Sequence, residues 1–313
     1  MTAGLRRAWT TWSRWLGEPE DARPFALLRI LTAATCFGVV ALAMLEGIDV
    51  GLMLDEAHGG VSRTGTGRAW VQGIGGGSAL VMRSLSAAAL TLSVTLGLGW
   101  WSRLSAFLLG QVLIAWFGVA LGSGGGHDRL ITNVLWLLAI GPSGATWSVD
   151  AWIATGTWRP SVAVAAWARR LVVFQLIVMY TLTGLQKQGD VWGASGEYRA
   201  VYNALLMPTW QRFDNLWLGD VYPLLQLGTA VSWWWESLWV VLGVALVLRH
   251  PGVPSRWWSR WARWVDLRLP FVAVGLVLHG LLWVLLNVGP FTPITLACYV
   301  ALFPGPAPCG ERR

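Results

Sequence analysis

Apolar residues dominate this chain in runs long enough to cross a bilayer, separated by short polar and glycine-rich stretches. A helix needs roughly 20 apolar residues to span the hydrocarbon core. Residues 25–45, 84–101, 104–122, 171–186, 221–248 and 269–289 read as spans, with a short turn at Ser102-Arg103 between the second and third. Residues 128–141 are apolar but only about 21 Å long at the helical rise, which suits a short or re-entrant helix. A last run, 291–303, begins after Pro290. The pattern predicts an all-α polytopic membrane protein with about eight membrane helices and no internal repeat. Its parts are an interfacial segment over 1–24, one transmembrane domain over 25–305 and a short tail over 306–313.

Composition sharpens this picture. Charged residues make up 12% of the 313, against roughly 25% in soluble domains. An ordinary soluble enzyme, a disordered chain and a disulfide-rich secreted scaffold are excluded. The 24 Trp suit rings placed at the headgroup level. Cys36, Cys298 and Cys309 show neither a CxxC nor a His/Cys spacing, so neither a disulfide framework nor a metal site is expected. The Arg-rich start runs into the first apolar segment without a small-residue cleavage site, which predicts a retained anchor.

Charge sets the orientation. Of 23 basic residues, Lys187 is the one lysine. With the N-terminus inside and eight crossings, 15 Arg fall on inside segments against six Arg and Lys187 outside, Arg29 lying within the first span. The positive-inside rule then predicts a cytoplasmic membrane protein with both termini cytoplasmic. The basic excess serves topology and anionic lipid, not nucleic acid. Arg256-Trp257-Trp258-Ser259-Arg260-Trp261-Ala262-Arg263-Trp264 places Trp257, Trp261 and Trp264 on one helical face and Arg256, Arg260 and Arg263 on another. Trp9, Trp12 and Trp15 with Arg6, Arg7 and Arg14 repeat the design. Both stretches suit amphipathic helices lying at a membrane surface.

Ionisable groups beside apolar spans mark candidate chemistry. In Tyr180-Thr181-Leu182-Thr183-Gly184-Leu185-Gln186-Lys187, seven steps of about 100° bring Tyr180 and Lys187 to one helix face with Thr183 between them. Lys187 lies about 26 Å beyond the cytoplasmic Arg169-Arg170 pair, at the outer boundary. A desolvated amine there can act as a general base; a lysine snorkelling to the interface is the plain alternative. His127, in Gly124-Gly125-Gly126-His127-Asp128, falls on the same outer side, with Asp128 as a helix N-cap. Glu236 forms an i, i+4 pair with Ser232 and can meet an Arg such as Arg29 or a ligand. His279 and Asn287 suit interhelical hydrogen bonds.

Several of these pieces resemble one family. Tyr180 through Lys187, then Trp192 and Gly196-Glu197-Tyr198-Arg199-Ala200-Val201-Tyr202, is similar to the vitamin K-dependent γ-glutamyl carboxylase-like transmembrane domain, called HTTM. His127 ahead of Trp147-Ser148-Val149-Asp150, the opening Pro24-Phe25-Ala26-Leu27-Leu28-Arg29, and His279 with the closing 291–303 run extend the resemblance over about residues 22–305. It implies a short form of the carboxylase, without the large lumenal domain. It further implies that Lys187 is the base toward a reduced vitamin K-type quinone, assisted by His127. Tyr180, Thr183, Trp192, His279 and Glu236 are then candidate cofactor-binding residues. Quinol epoxidation, coupled to carboxylation of a glutamate in a secreted peptide, is the activity implied at the outer face. The alternative is a non-catalytic component that matures or exports a secreted peptide with a partner protein. A transporter would predict repeated halves with facing broken helices.

Overall fold

The computed structural model describes residues 3–63, 69–119, 125–250 and 252–305, and among them the side chains from Trp9 onward except that of Thr11. They form an almost wholly helical protein. Its single sheet is a two-stranded antiparallel one, with Pro19–Asp21 against Ala163–Ala165 and Glu20 opposite Val164. The chain divides into two compact units: residues 1–172 with 293–313, and residues 173–292. The division falls inside the helix Trp167–Gln186.

Each predicted apolar segment is helical, but they differ in reach. Arg23–Leu45, Ala79–Leu98, Ser102–Val119, Trp167–Gln186 and Arg268–Leu285 are long and apolar enough to cross a membrane. The predicted 221–248 span is a bent pair, Leu216–Ser237 and Trp239–Leu248, turning by 41°. Among the described residues that gives five spans, or six with the bent pair, where the sequence predicts about eight. Beside the bend, Ser237 Oγ donates to the Trp233 carbonyl at 2.8 Å. Gly126–Ile140 has 15 residues, and Phe291–Leu302 is likewise too short for a full span. The protein is a multi-pass membrane protein. Exposed Phe174, Leu182, Leu224, Leu227, Val244 and Val277 are surfaces for lipid.

The first unit packs Arg23–Leu45 against Ala79–Leu98, which packs on Ser102–Val119, which packs on Gly126–Ile140. Small residues make the close approaches, as membrane helices require: Ala33, Ser86, Ala89, Ser93, Ala106 and Gly110 are among those turned inward. Trp116 Nε1 donates to Ser86 Oγ at 3.0 Å across one interface. Polar groups inside this unit staple backbone. Arg29 is fully buried and donates to the carbonyls of Ser143, Gly97 and Trp147. Asp150 accepts from the Trp101 and Ser102 N–H groups and from Ser102 Oγ at 2.7–2.8 Å, fixing the start of Ser102–Val119. Ser148 caps its own helix through Ala151 N. The Trp-Ser-Val-Asp stretch is therefore a structural joint, which orphan helix-end N–H groups demand. Cys36 and Cys298 are free and buried. Cys309, Gly124 and the 306–313 tail lie outside the described residues.

Two amphipathic helices stand where Trp and Arg alternate. Ala3–Gly17 exposes Trp9 and Trp12, while Trp15 lies under the Arg170 guanidinium at 4.4 Å. In the second unit, Trp257–Trp264 turns Ser259 and Ala262 inward and leaves Trp257, Trp261 and Trp264 exposed. Arg249 Nη1 donates to the Ala262 and Val265 carbonyls at the end of that helix, satisfying groups the helix leaves open.

Candidate functional site

The site lies in the second unit and is built on the end of Trp167–Gln186. Lys187 follows that helix directly, its N–H still bonded to the Gly184 carbonyl at 3.2 Å. Its Nζ lies 2.6 Å from Glu236 Oε1 and 3.4 Å from Ser232 Oγ. The Trp192 ring centre is 4.3 Å away. Ser232 and Glu236, one turn apart on Tyr222–Ser237, present both oxygens to the amine, as i, i+4 neighbours do. The Lys187 and Glu236 side chains keep 15% and 14% of their surface exposed, so the pair is neither sealed nor free in water. Glu236 Oε2 is buried and has no hydrogen-bond partner among the described residues.

Two glycines permit this arrangement. A Cβ on Gly184 would come within 2.5 Å of Ser237 N and 2.6 Å of Ser237 Oγ. Gly184 thus lets Tyr222–Ser237 approach, and its carbonyl accepts from Trp233 Nε1 at 3.1 Å. A Cβ on Gly196 would stand 2.4 Å from the Asp190 carbonyl oxygen, so only glycine lets the chain fold back over the Asp190–Trp192 turn that carries Trp192.

One and two turns back from Lys187 the same face continues through Gly184 to Tyr180. Tyr180 Oη and His279 Nε2 are 2.6 Å apart. The Tyr180 ring stacks on Trp239 at 4.5 Å and meets Trp235 edge-on at 4.7 Å. Phe291 lies 5.4 Å from His279 and Phe271 lies 5.7 Å from Trp239. Tyr180, His279, Trp235 and Trp239 are all buried. The result is a polar pair, Tyr180 with His279, inside an aromatic wall.

Placement of the sequence candidates follows. Tyr180, Lys187, Trp192, Glu236 and His279 belong to this one unit. Thr183 does not share their face: it is exposed, and its hydroxyl donates to the Met179 carbonyl at 2.7 Å. Gly184 holds the place expected for Thr183, because a residue four steps from Tyr180 stays nearer its face than one three steps away in the other direction. Glu236 pairs with Lys187 and not with Arg29, whose guanidinium is taken by carbonyls.

His127 belongs to the first unit. It is the second residue of Gly126–Ile140, and its Nε2 lies 2.9 Å from Asp128 Oδ1. Asp128 is not the N-cap. That position is Gly125, whose N–H donates back to Asp128 Oδ2 at 2.9 Å. A Cβ on Gly125 would meet the His127 ring at 2.8 Å, so the glycine makes room for it. Sequence reasoning missed Trp235, Trp239 and Gly184. The available signal was two Trp one turn apart in mid-run, away from the ends where interfacial Trp gather.

The residues present fit a phenolic ligand. Glu236 Oε2 is an acceptor awaiting an O–H donor, which burial makes costly to leave unmet. The Lys187 ammonium beside it supports negative charge, and the Trp192 ring offers a flat apolar face. Among the described residues, no three His, Cys, Asp or Glu side chains come together as a metal site.

Comparison with known families gives one match: the HTTM domain, over residues 63–211. That is a membrane domain found in vitamin K-dependent carboxylase-like proteins. It takes in His127, Tyr180, Lys187 and Trp192, while Glu236 and His279 lie beyond it. Neither a curated relative nor a solved structure matches the chain.

Proposed function

From a chain that carries an HTTM domain across residues 63–211, we propose a membrane-embedded enzyme that works with a reduced quinone at the outer face of the cytoplasmic membrane. The observation that carries this reading is the Lys187–Glu236 pair, set beside Trp192 with one carboxylate oxygen unfilled. The buried Arg169–Glu20 pair, by contrast, uses both carboxylate oxygens. A site for a hydroxyl-bearing ligand would leave one open.

Each side chain has a part in that reading. Glu236 and Lys187 hold the ring hydroxyl and the charge left when its proton departs, and Trp192 orients a flat ring against the amine. Gly184 keeps the two charged groups together. Tyr180 and His279 extend a polar patch along the aromatic wall. His127 is the assisting residue that the family resemblance supplies. When bound, a reduced quinone would supply, on reaction with oxygen, a base strong enough to remove a carbon-bound proton. The γ-carbon of a glutamate in a secreted peptide is the acceptor the resemblance implies: it gives up a proton to that base and takes up carbon dioxide in its place. With all eight apolar segments crossing, the Arg distribution puts Lys187 on the outer side, opposite the Arg-rich one.

The test uses the purified protein with reduced menaquinone, oxygen and bicarbonate. Quinone epoxide should form, and Lys187→Ala should cut its rate by about 100-fold or more, the usual cost of losing a positioned group that stabilises developing negative charge. If no epoxide forms, the reading fails. Co-purification of a small secreted peptide, unaffected by Lys187→Ala, would then point to the maturation role.

A further inference from the structure

We infer that Glu236, and not Lys187, is the group that takes the proton from the ligand hydroxyl, while Lys187 remains a cation throughout. This division of labour rests on the quinol reading above and assigns atoms within it.

Nζ of Lys187 is 2.6 Å from Glu236 Oε1 and 4.3 Å from the centre of the Trp192 ring. A carboxylate and a ring face are both partners for an ammonium. Each would lose its attraction to a neutral amine, and the carboxylate would then be a largely buried charge with no counter-ion, a costly state. The resident form is the ion pair, so the amine has no lone pair to offer. The carboxylate does: Oε1 is held by Lys187 and Ser232, but Oε2 has no partner.

Proton transfer to Oε2 also keeps the site electrically level. Before the step, ammonium and carboxylate cancel beside a neutral phenol. The phenolic O–H bond breaks, a new O–H bond forms on Oε2, and the phenolate oxygen becomes the counter-ion of Lys187. The sum is zero at each stage. No charge is created in the low-dielectric interior, where an unpaired one is most expensive. Ser232 steadies the pair, its Oγ lying 3.4 Å from both Nζ and Oε1.

The probe is 2-methyl-1-naphthol, a phenol of the quinol ring shape that is neutral in buffer at pH 7. Its anion absorbs beyond the tryptophan band. Binding to the full chain in detergent is measured by equilibrium dialysis and ionisation by absorbance. Wild type should bind it as the anion. Glu236→Gln, at naphthol concentrations that fill its site by dialysis, should lose the anion band by at least tenfold. Lys187→Arg should keep at least half of the band, since arginine remains a cation and cannot serve as base. A protonated carboxyl stretch should appear in the infrared difference spectrum of wild type on binding, which requires no variant to fold. The inference is overturned if Glu236→Gln keeps the band, if Lys187→Arg binds the naphthol but loses it, or if no carboxyl stretch appears while the anion does. If wild type fails to bind the naphthol at all, the quinol reading itself fails, which is a distinct result.

Discussion

Two ion pairs bracket the helix Trp167–Gln186, and they are built differently. Near its start, Arg169 meets Glu20 through Nε and Nη2 at 2.7–2.9 Å, and Nη1 goes to the Ala301 carbonyl. Both carboxylate oxygens are used, and the side chains keep only 7% and 8% exposure. Just past the end of the helix, Lys187 meets Glu236 through one oxygen, and the other is left open. The first pair is closed. It ties the Pro19–Asp21 strand, the helix and the Val300–Leu302 turn into one unit. The second has unused capacity, an acceptor oxygen open to a ligand hydroxyl. Arg suits the closed role through its planar fork, and Lys suits a single-point contact on a stem that can adjust.

Breaking the closed pair should therefore cost more. Glu20→Ala leaves the Arg169 guanidinium buried without its carboxylate, a loss of about 3–5 kcal/mol. It should show as a sharply lowered unfolding temperature in detergent. Glu236→Gln should cost less, about 1–3 kcal/mol, because the amide oxygen can still accept from Lys187, which also keeps Ser232, the Trp192 face and some solvent. Equal losses in thermal unfolding would erase the distinction between the two pairs.

The open pair depends on one close approach, which gives a matched comparison of glycines. Gly184→Ala puts a Cβ against Ser237 backbone at 2.5–2.8 Å and should cost about 1–3 kcal/mol, the usual effect of forcing atoms into packed space. Gly228→Ala on Tyr222–Ser237 meets nothing within 4 Å and should be neutral or stabilising by about 0.5–1 kcal/mol. Thermal unfolding of the two variants reads the difference directly. If Gly184→Ala is as stable as Gly228→Ala, the approach is not tight and the pair is not held by it.

Much of this was readable from the chain. Apolar runs located every long helix, because bilayer length is a strict constraint. Lys187 stood out as the one lysine at a helix end, and Tyr180 shared its face by simple periodicity. What was not readable depended on which helices are neighbours. Glu236 was recognised as costly, but periodicity cannot tell a helix its partner, so Arg29 was as good a candidate as Lys187. The break at Leu238 was invisible because Trp233 through Val247 is apolar apart from Glu236 and Ser237, with no proline to mark it. The start of Gly126–Ile140 was misjudged by two residues because a glycine can occupy the cap as well as an aspartate. Thr183 was placed on the wrong side for want of choosing between i+3 and i+4.

A third acidic group outside the spans tests the smallest effect. Asp266, between Trp257–Trp264 and Arg268–Leu285, accepts from Arg268 Nε and Nη2 at 2.8 and 2.6 Å, with Arg249 Nη2 at 3.7 Å. The side-chain hydrogen bonds of Arg268 hold its carboxyl below the ordinary value of 3.8, against the opposing push of burial; the Arg268 backbone N–H and the two guanidinium charges add to the lowering. A carboxyl lowered in the folded protein binds fewer protons there than in the unfolded chain, so its stabilisation is complete above the unfolded value and fades as pH falls through the folded one. The side chain is about a quarter exposed, so the gain is screened and amounts to about 0.2–1 kcal/mol. Asp266→Asn should be less stable than wild type by that amount near pH 6, and the gap should close as pH falls below about 4 toward 2. A gap that stays constant across that range would mean that Asp266 contributes by shape alone, as an asparagine would.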